Sequence, residues 1–137
     1  MGAGQPGRRW FLLQAPSGLQ LALDVDLVGR IESIPAVVPV PGAPPGVVGL
    51  AELAGRPVTL LDPALCASAA SLGQADGAPR SALRLAAPHE HLALAKPPGA
   101  TVRPLAGETD PPAGAARVDA EALARVLAGL VPARGRP

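Results

Sequence analysis

Between residues 34 and 62 the chain reads IPAVVPVPGAPPGVVGLAELAGRPVTLLD, and no other stretch restricts the fold so tightly. Prolines at 35, 39, 41, 44 and 45 fix φ and withdraw backbone donors, which predicts an extended connector that cannot be helical. Aliphatic runs at 47–50 and 58–61 predict two strands joined through a tight turn at Ala54-Gly55-Arg56. Pro57 falls at the start of the second strand, where a missing N–H is tolerated. A rigid, half-apolar ribbon of this kind fits a small β-barrel that presents a surface to other proteins. It does not resemble a catalytic loop.

The flanking sequence carries the same signature of short strands. Residues 10–14 predict a first strand and Pro16-Ser17-Gly18 a turn. From Leu19 the chain alternates, with Leu19, Leu21, Leu23 and Val25 on one face and Gln20, Ala22 and Asp24 on the other. Residues 24–34 place Leu27, Val28, Ile31 and Ile34 at spacings that fit a short helical turn or an irregular strand equally well. Asp62-Pro63 predicts a capped helix start, with Leu65, Ala69 and Leu72 on one face and Gly73 as terminator. Strands are expected at 81–86, 91–95 and 101–105, the first two flanking a hairpin turn at Pro88-His89-Glu90. Residues 106–117 lack an apolar pattern and read as loop. The clearest helix is 118–130: Asp119 caps it, Glu121 faces the positive dipole end, and Leu123, Val126, Leu127 and Leu130 form a stripe. Val118 and Leu123 have the spacing of a hydrophobic staple. Many short strands with two short helices indicate a mainly β, barrel-type domain over 9–131, between flexible ends at 1–8 and 132–137.

Composition sets the means available. One tryptophan, one phenylalanine and no tyrosine leave a core of Leu, Val, Ile and Ala, and Gly 16 with Pro 18 makes about a quarter of 137 residues. Net charge is +1 and no basic cluster with interleaved aromatics exists, which argues against a nucleic-acid partner. The lone Cys66 cannot form an internal disulfide and points to a reducing compartment. No apolar run approaches the ~20 residues of a membrane span. Arg8-Arg9-Trp10-Phe11-Leu12 has the look of a twin-arginine export signal, but the apolar run breaks at Gln14. Cytoplasmic residence is the expectation, and the wealth of Arg, Ala, Gly and Pro fits a GC-rich bacterial genome.

Few residues offer chemistry. His89 and His91 form an H-x-H pair with zinc-like spacing but no third or fourth ligand, and a solvated turn is the better reading. Cys66 near a helix start is the sharpest idea for a nucleophile, yet nothing at a known spacing orients it, and free cysteine usually packs as a small apolar residue. The glycines at 42, 46, 49 and 55 lack the strand–loop–helix setting and lysine of a phosphate loop. Pro41-Gly42-Ala43-Pro44 satisfies P-x-x-P, but its place between apolar strands favours an ordered part of the barrel. No catalytic residue, metal or cofactor is expected.

The ribbon also resembles the signature of the CheW-like domain, the bacterial chemotaxis adaptor family. The resemblance rests on Ile34-Pro35, Pro41-Gly42-Ala43-Pro44, the stretch from Gly49 to Leu53, the turn glycine Gly55, and Val58 to Asp62. It implies two small five-stranded β-barrels with short helices, sharing an apolar seam, with the second barrel shortened here. It further implies a non-enzymatic adaptor coupling the cytoplasmic tip of a chemoreceptor to the regulatory domain of a chemotaxis-type histidine kinase. Matching positions give the candidate contact residues: Val37, Val38 and Val40 in the connector, Val48 and Leu50 after it, then Glu52, Leu53, Ala54, Gly55 and Arg56 around the turn. Three departures stand out. Ala54 replaces the family's arginine, Glu52 its asparagine, and Lys96-Pro97-Pro98 an acidic strand end, so one of the two partner contacts is expected to be lost. The alternative of another class is a small cysteine- or metal-dependent hydrolase using Cys66, His89 and His91.

Overall fold

The structure, a computed structural model, describes residues 9–67, 79–106 and 110–130. In chain order the elements are β1 (Trp10–Gln14), β2 (Gln20–Asp24), β3 (Val28–Ser33), β4 (Val47–Leu53), β5 (Arg56–Leu61), β6 (Ser81–Leu85), β7 (Leu92–Lys96), β8 (Thr101–Pro104), β9 (Ala116–Val118) and the helix α1 (Ala120–Leu130). They form a four-stranded sheet, β8-β1-β2-β9, and a five-stranded sheet, β3-β6-β7-β5-β4. Both sheets are mixed, because β9 runs parallel to β2 and β7 parallel to β5. The mainly β expectation holds, and among the described residues the sheet with four strands is the one built from the two ends of the chain.

Neither sheet closes through a continuous ladder, but the five-stranded one is strongly curled, and the connector shows why. Ile34 still belongs to the β3 line, since its N–H donates to the Arg80 carbonyl at 2.8 Å. Val38 lies beside β4 on the side away from β5, exchanging two 2.8 Å hydrogen bonds with Leu50. In a flat sheet those two lines would sit about 24 Å apart at ~4.8 Å per strand, whereas Ile34 to Val38 spans at most ~14 Å of chain. The sheet therefore bends until its first and last strands approach each other, joined by that one bridge among the described residues. A tight curl leaves little interior volume. Its inner cluster is accordingly alanine-rich: Ala51, Ala82, Ala93 and Ala95 beside Ile34, Leu53, Val58 and Leu60.

Strand alternation sends every second residue outward from that curl, and the outward leucines Leu61, Leu83, Leu85 and Leu94 meet Leu13, Leu21 and Leu23 of the four-stranded sheet. This is the apolar seam. Each fully buried leucine there contributes roughly 1.5–3 kcal/mol. Val118 and Leu123 join it, so the staple expected at the start of α1 is also the helix's anchor. Asp119 caps as expected, its Oδ1 accepting the Ala122 N–H at 2.9 Å. On its other face the four-stranded sheet buries Trp10, Leu12 and Ala22 under Leu105 and Ala115. The expected face split of β2 is thus correct, although both faces are covered.

Three expectations need correction, and one left open is resolved. The connector is not extended throughout. Val40-Pro41-Gly42-Ala43 closes with an Ala43 N–H to Val40 carbonyl bond of 3.1 Å and Gly42 at φ +78°. Pro44-Pro45-Gly46-Val47 repeats the motif, with Gly46 at φ +99° and Val47 N–H on the Pro44 carbonyl at 3.1 Å. Proline followed by glycine at the two central positions is what a type II turn demands, and here it overrides extension. Residues 24–34, left open between helical turn and strand, contain both: a 3-10 turn at Val25–Leu27, then β3. The segment after Asp62 is a 3-10 helix, Pro63–Ala67, whose Leu65 N–H bonds the Asp62 carbonyl at 3.0 Å. Its expected continuation through Ala69 and Leu72 to Gly73 lies outside the described residues, as do both chain ends. Finally, Ala116–Val118 is strand β9 rather than loop. Three residues, one of them arginine, give no period to detect.

Candidate protein-interaction site

Alternation along β4 decides which candidate residues reach solvent. Gly49, Ala51 and Leu53 face the curl and are buried, while Leu50 and Glu52 face out. Val38, hydrogen-bonded to Leu50, is 60% exposed, and Val40 and Leu50 are each 38% exposed. Among the described residues only one other large aliphatic side chain, Ile31, is as open. Val38 and Leu50 therefore pair on one sheet edge, with Val40 two residues further along the connector and exposed Glu52 and Arg56 toward the hairpin end. That is the anatomy of an apolar interface centre with a polar rim.

Not every candidate belongs to it. Leu53 is 1% exposed and is a core residue, so its side chain cannot contact a partner while the sheet is intact. Val37 and Val48 are half-buried against the same inner cluster. The P-x-x-P reading also falls away, because Pro41 and Gly42 form the turn described above.

Two backbone features set the edge. A Cβ on Gly49 would lie 2.6 Å from the Val38 carbonyl oxygen and 2.8 Å from Val37 Cγ1, so only glycine lets the connector dock on β4. At the tip, Leu53 pairs with Arg56 across a two-residue loop in which Ala54 has φ +53° and Gly55 φ +79°. Positive φ at both central positions defines a type I′ turn, whose first position favours Asn or Gly. Alanine held there carries about 1 kcal/mol of strain. Ala54→Asn is expected to raise unfolding stability by roughly 0.5–1 kcal/mol, read as a higher urea midpoint with an unchanged slope.

Cys66 lies in the 3-10 turn after β5, on a different element from His89 and His91. Burial, and secondarily the Asp62 carboxylate, pushes the Cys66 thiol up to about 11, which keeps it protonated at neutral pH. Cys66 packs against the seam, in a turn whose Asp62 Oδ1 accepts the Ala64 N–H at 3.0 Å. His89 and His91 lie in the connection between β6 and β7, where the His89 N–H bonds the Ala86 carbonyl at 2.9 Å and the His91 carbonyl accepts from Thr59 at 2.9 Å. Among the described residues no three His, Cys, Asp or Glu side chains gather as a metal site, and no helix is long and apolar enough to cross a membrane.

No family model and no curated protein matches the chain. Among solved structures it is similar to the scaffolding protein TtCheW from Thermoanaerobacter tengcongensis, with a TM-score of 0.55 over 79% of this chain and 73% of that one. Identity between the two is 12%, so what they share is architecture. Two mixed sheets joined by a leucine seam, with one short helix against it, are the CheW-like fold.

Proposed function

We propose that this chain is a non-enzymatic signalling adaptor of the CheW-like family, acting in the bacterial cytoplasm. Its partners on this reading are the regulatory domain of a chemotaxis-type histidine kinase and the cytoplasmic tip of a chemoreceptor. The observation that carries the proposal is the exposed aliphatic edge of Val38, Val40 and Leu50 on a scaffold-type fold. Such an edge buries apolar area on docking without any reacting group nearby. Glu52 and Arg56 at its rim would steer orientation more than affinity.

The proposal extends to a reduced second contact. Ala54 stands where the family's turn arginine is expected, at the exposed tip of the hairpin. Its backbone already holds a Cβ at positive φ, so Ala54→Arg adds reach and charge without new backbone strain. Isothermal titration with the kinase regulatory domain and the receptor tip, offered separately, tests both parts. Wild-type chain should bind at least one of them, and Leu50→Glu should weaken that binding about tenfold or more while leaving the circular dichroism spectrum unchanged. Ala54→Arg should strengthen the weaker contact. Failure of the wild-type chain to bind either partner sinks the adaptor reading.

A further inference from the structure

The fourth exposed aliphatic residue, Ile31 at 52%, sits on β3, at the other end of the strand order from β4. Among the described residues β3 has a ladder partner on one side alone, β6. The bond from Ile34 N–H to the Arg80 carbonyl fixes which backbone groups face that partner. In an antiparallel ladder hydrogen-bonded pairs alternate, so Glu32 with Ala82 and Arg30 with Arg84 point inward, and Ile31 and Ser33 turn their N–H and C=O outward. The register shift at Gly29 ends the regular edge on the N-terminal side, and Pro35 lies just past it on the other.

This short edge is complementary to itself in one register. Placed antiparallel to a second β3 about a two-fold axis through Ile31, it sets Ile31 opposite Ile31 of the second copy, with both outward N–H and C=O groups exchanged. Arg30 then lies opposite Glu32 of the second copy, twice by symmetry, as an isologous contact requires. Moving the axis by one residue would oppose Arg30 to Arg30 or Glu32 to Glu32. The outward backbone groups of Ile31 would still find partners in those registers, in Gly29 or Ser33 of the second copy, so like charges facing each other across the axis are what disfavour them. Arg30 is free to respond: its side chain is 69% exposed and only 3.9 Å from Glu32, whereas Arg84 holds Glu32 at 3.2 Å with both side chains largely covered.

We propose that the outer edge of β3 pairs antiparallel with β3 of a second copy of this chain, centred on Ile31. The contact is small beside a standard interface, so the dimer forms at high local concentration and exchanges readily. It uses the edge of β3 rather than the Val38–Leu50 pair, and does not depend on the adaptor reading.

Two measurements test it on the full chain. In a Cys66→Ser background, Ile31→Cys should form a disulfide-linked dimer under mild oxidation about tenfold faster than Ser33→Cys, because only the two-fold position brings its own copies within bonding range. Sedimentation velocity should show self-association of the wild-type chain that Arg30→Glu abolishes, since that change opposes carboxylates across the axis. Equal cross-linking at 31 and 33, or association indifferent to Arg30→Glu, overturns the pairing even if kinase binding is intact. Loss of kinase binding by Leu50→Glu, with cross-linking at 31 unaltered, leaves it standing.

Discussion

Gly49→Ala is expected to lower unfolding stability by about 2–4 kcal/mol and to displace the exposed edge proposed for docking at the same time. The added Cβ would meet the Val38 carbonyl oxygen at 2.6 Å, and a backbone atom cannot swing aside as a side-chain tip can. Relief requires the connector to leave β4, which breaks the two 2.8 Å bonds between Val38 and Leu50, each contributing about 1 kcal/mol. Val37 would lift from the inner cluster with it. Since that bridge joins the two ends of the curled sheet, its loss also removes the constraint that keeps the sheet bent. Denaturant titration and calorimetry with the kinase domain should report both consequences. The control is Gly55→Ala, where a Cβ would meet nothing within 4 Å: there the cost is backbone strain at φ +79° alone, about 1–2 kcal/mol. Equal effects at the two glycines would refute the close-approach argument.

What the sequence discloses of this fold follows the range of the forces involved. Strong local signals appear where expected: the capped start of α1, the β4–β5 hairpin at Ala54-Gly55, and the period-two alternation of β2. Each is settled within a few residues by a cap, a turn or a face. The connector departs from extension because Pro41-Gly42 and Pro45-Gly46 act as pairs that specify turns, where each proline alone would favour extended backbone. Long-range pairing is silent in sequence. Nothing near Val38 announces that it will bridge Leu50, and nothing in Ala116-Arg117-Val118 announces a strand parallel to β2. The exposure of the candidate residues follows the same rule. The resemblance names Val38, Val40, Leu50 and Leu53 alike, and Leu53 is told from Leu50 only by the register of β4, in which Gly49, Ala51 and Leu53 turn inward. Ile31 gives no strand signal in sequence, because its three-residue spacing from Val28 and Ile34 fits a helical turn as well as a strand.

The seam yields the other large effect. Leu94→Ala is expected to cost about 3–5 kcal/mol, the upper part of the range for a buried leucine, because nothing nearby can collapse into the space it leaves. Leu94 lies on β7, the middle strand of its sheet, in register with Leu61 on one side and Leu83 on the other, and all three are seam residues. Both neighbours are pinned by their own ladders. The consequence extends beyond that sheet. Trp10, the only tryptophan, is buried on the far face of the other sheet with Leu12 and Ala22, so its fluorescence reports unfolding of a region that Leu94 belongs to only through the seam. The four-stranded sheet has a small far-face cluster of its own and draws much of its burial from Leu13, Leu21 and Leu23. It should therefore unfold with its neighbour. Leu94→Ala should lower the denaturant midpoint seen by Trp10 fluorescence and the midpoint seen by circular dichroism by the same amount, in one coincident transition. A fluorescence midpoint that stays at its wild-type value while circular dichroism shifts would mean that the two sheets are separate cooperative units and that the leucines between them are a contact rather than a shared core.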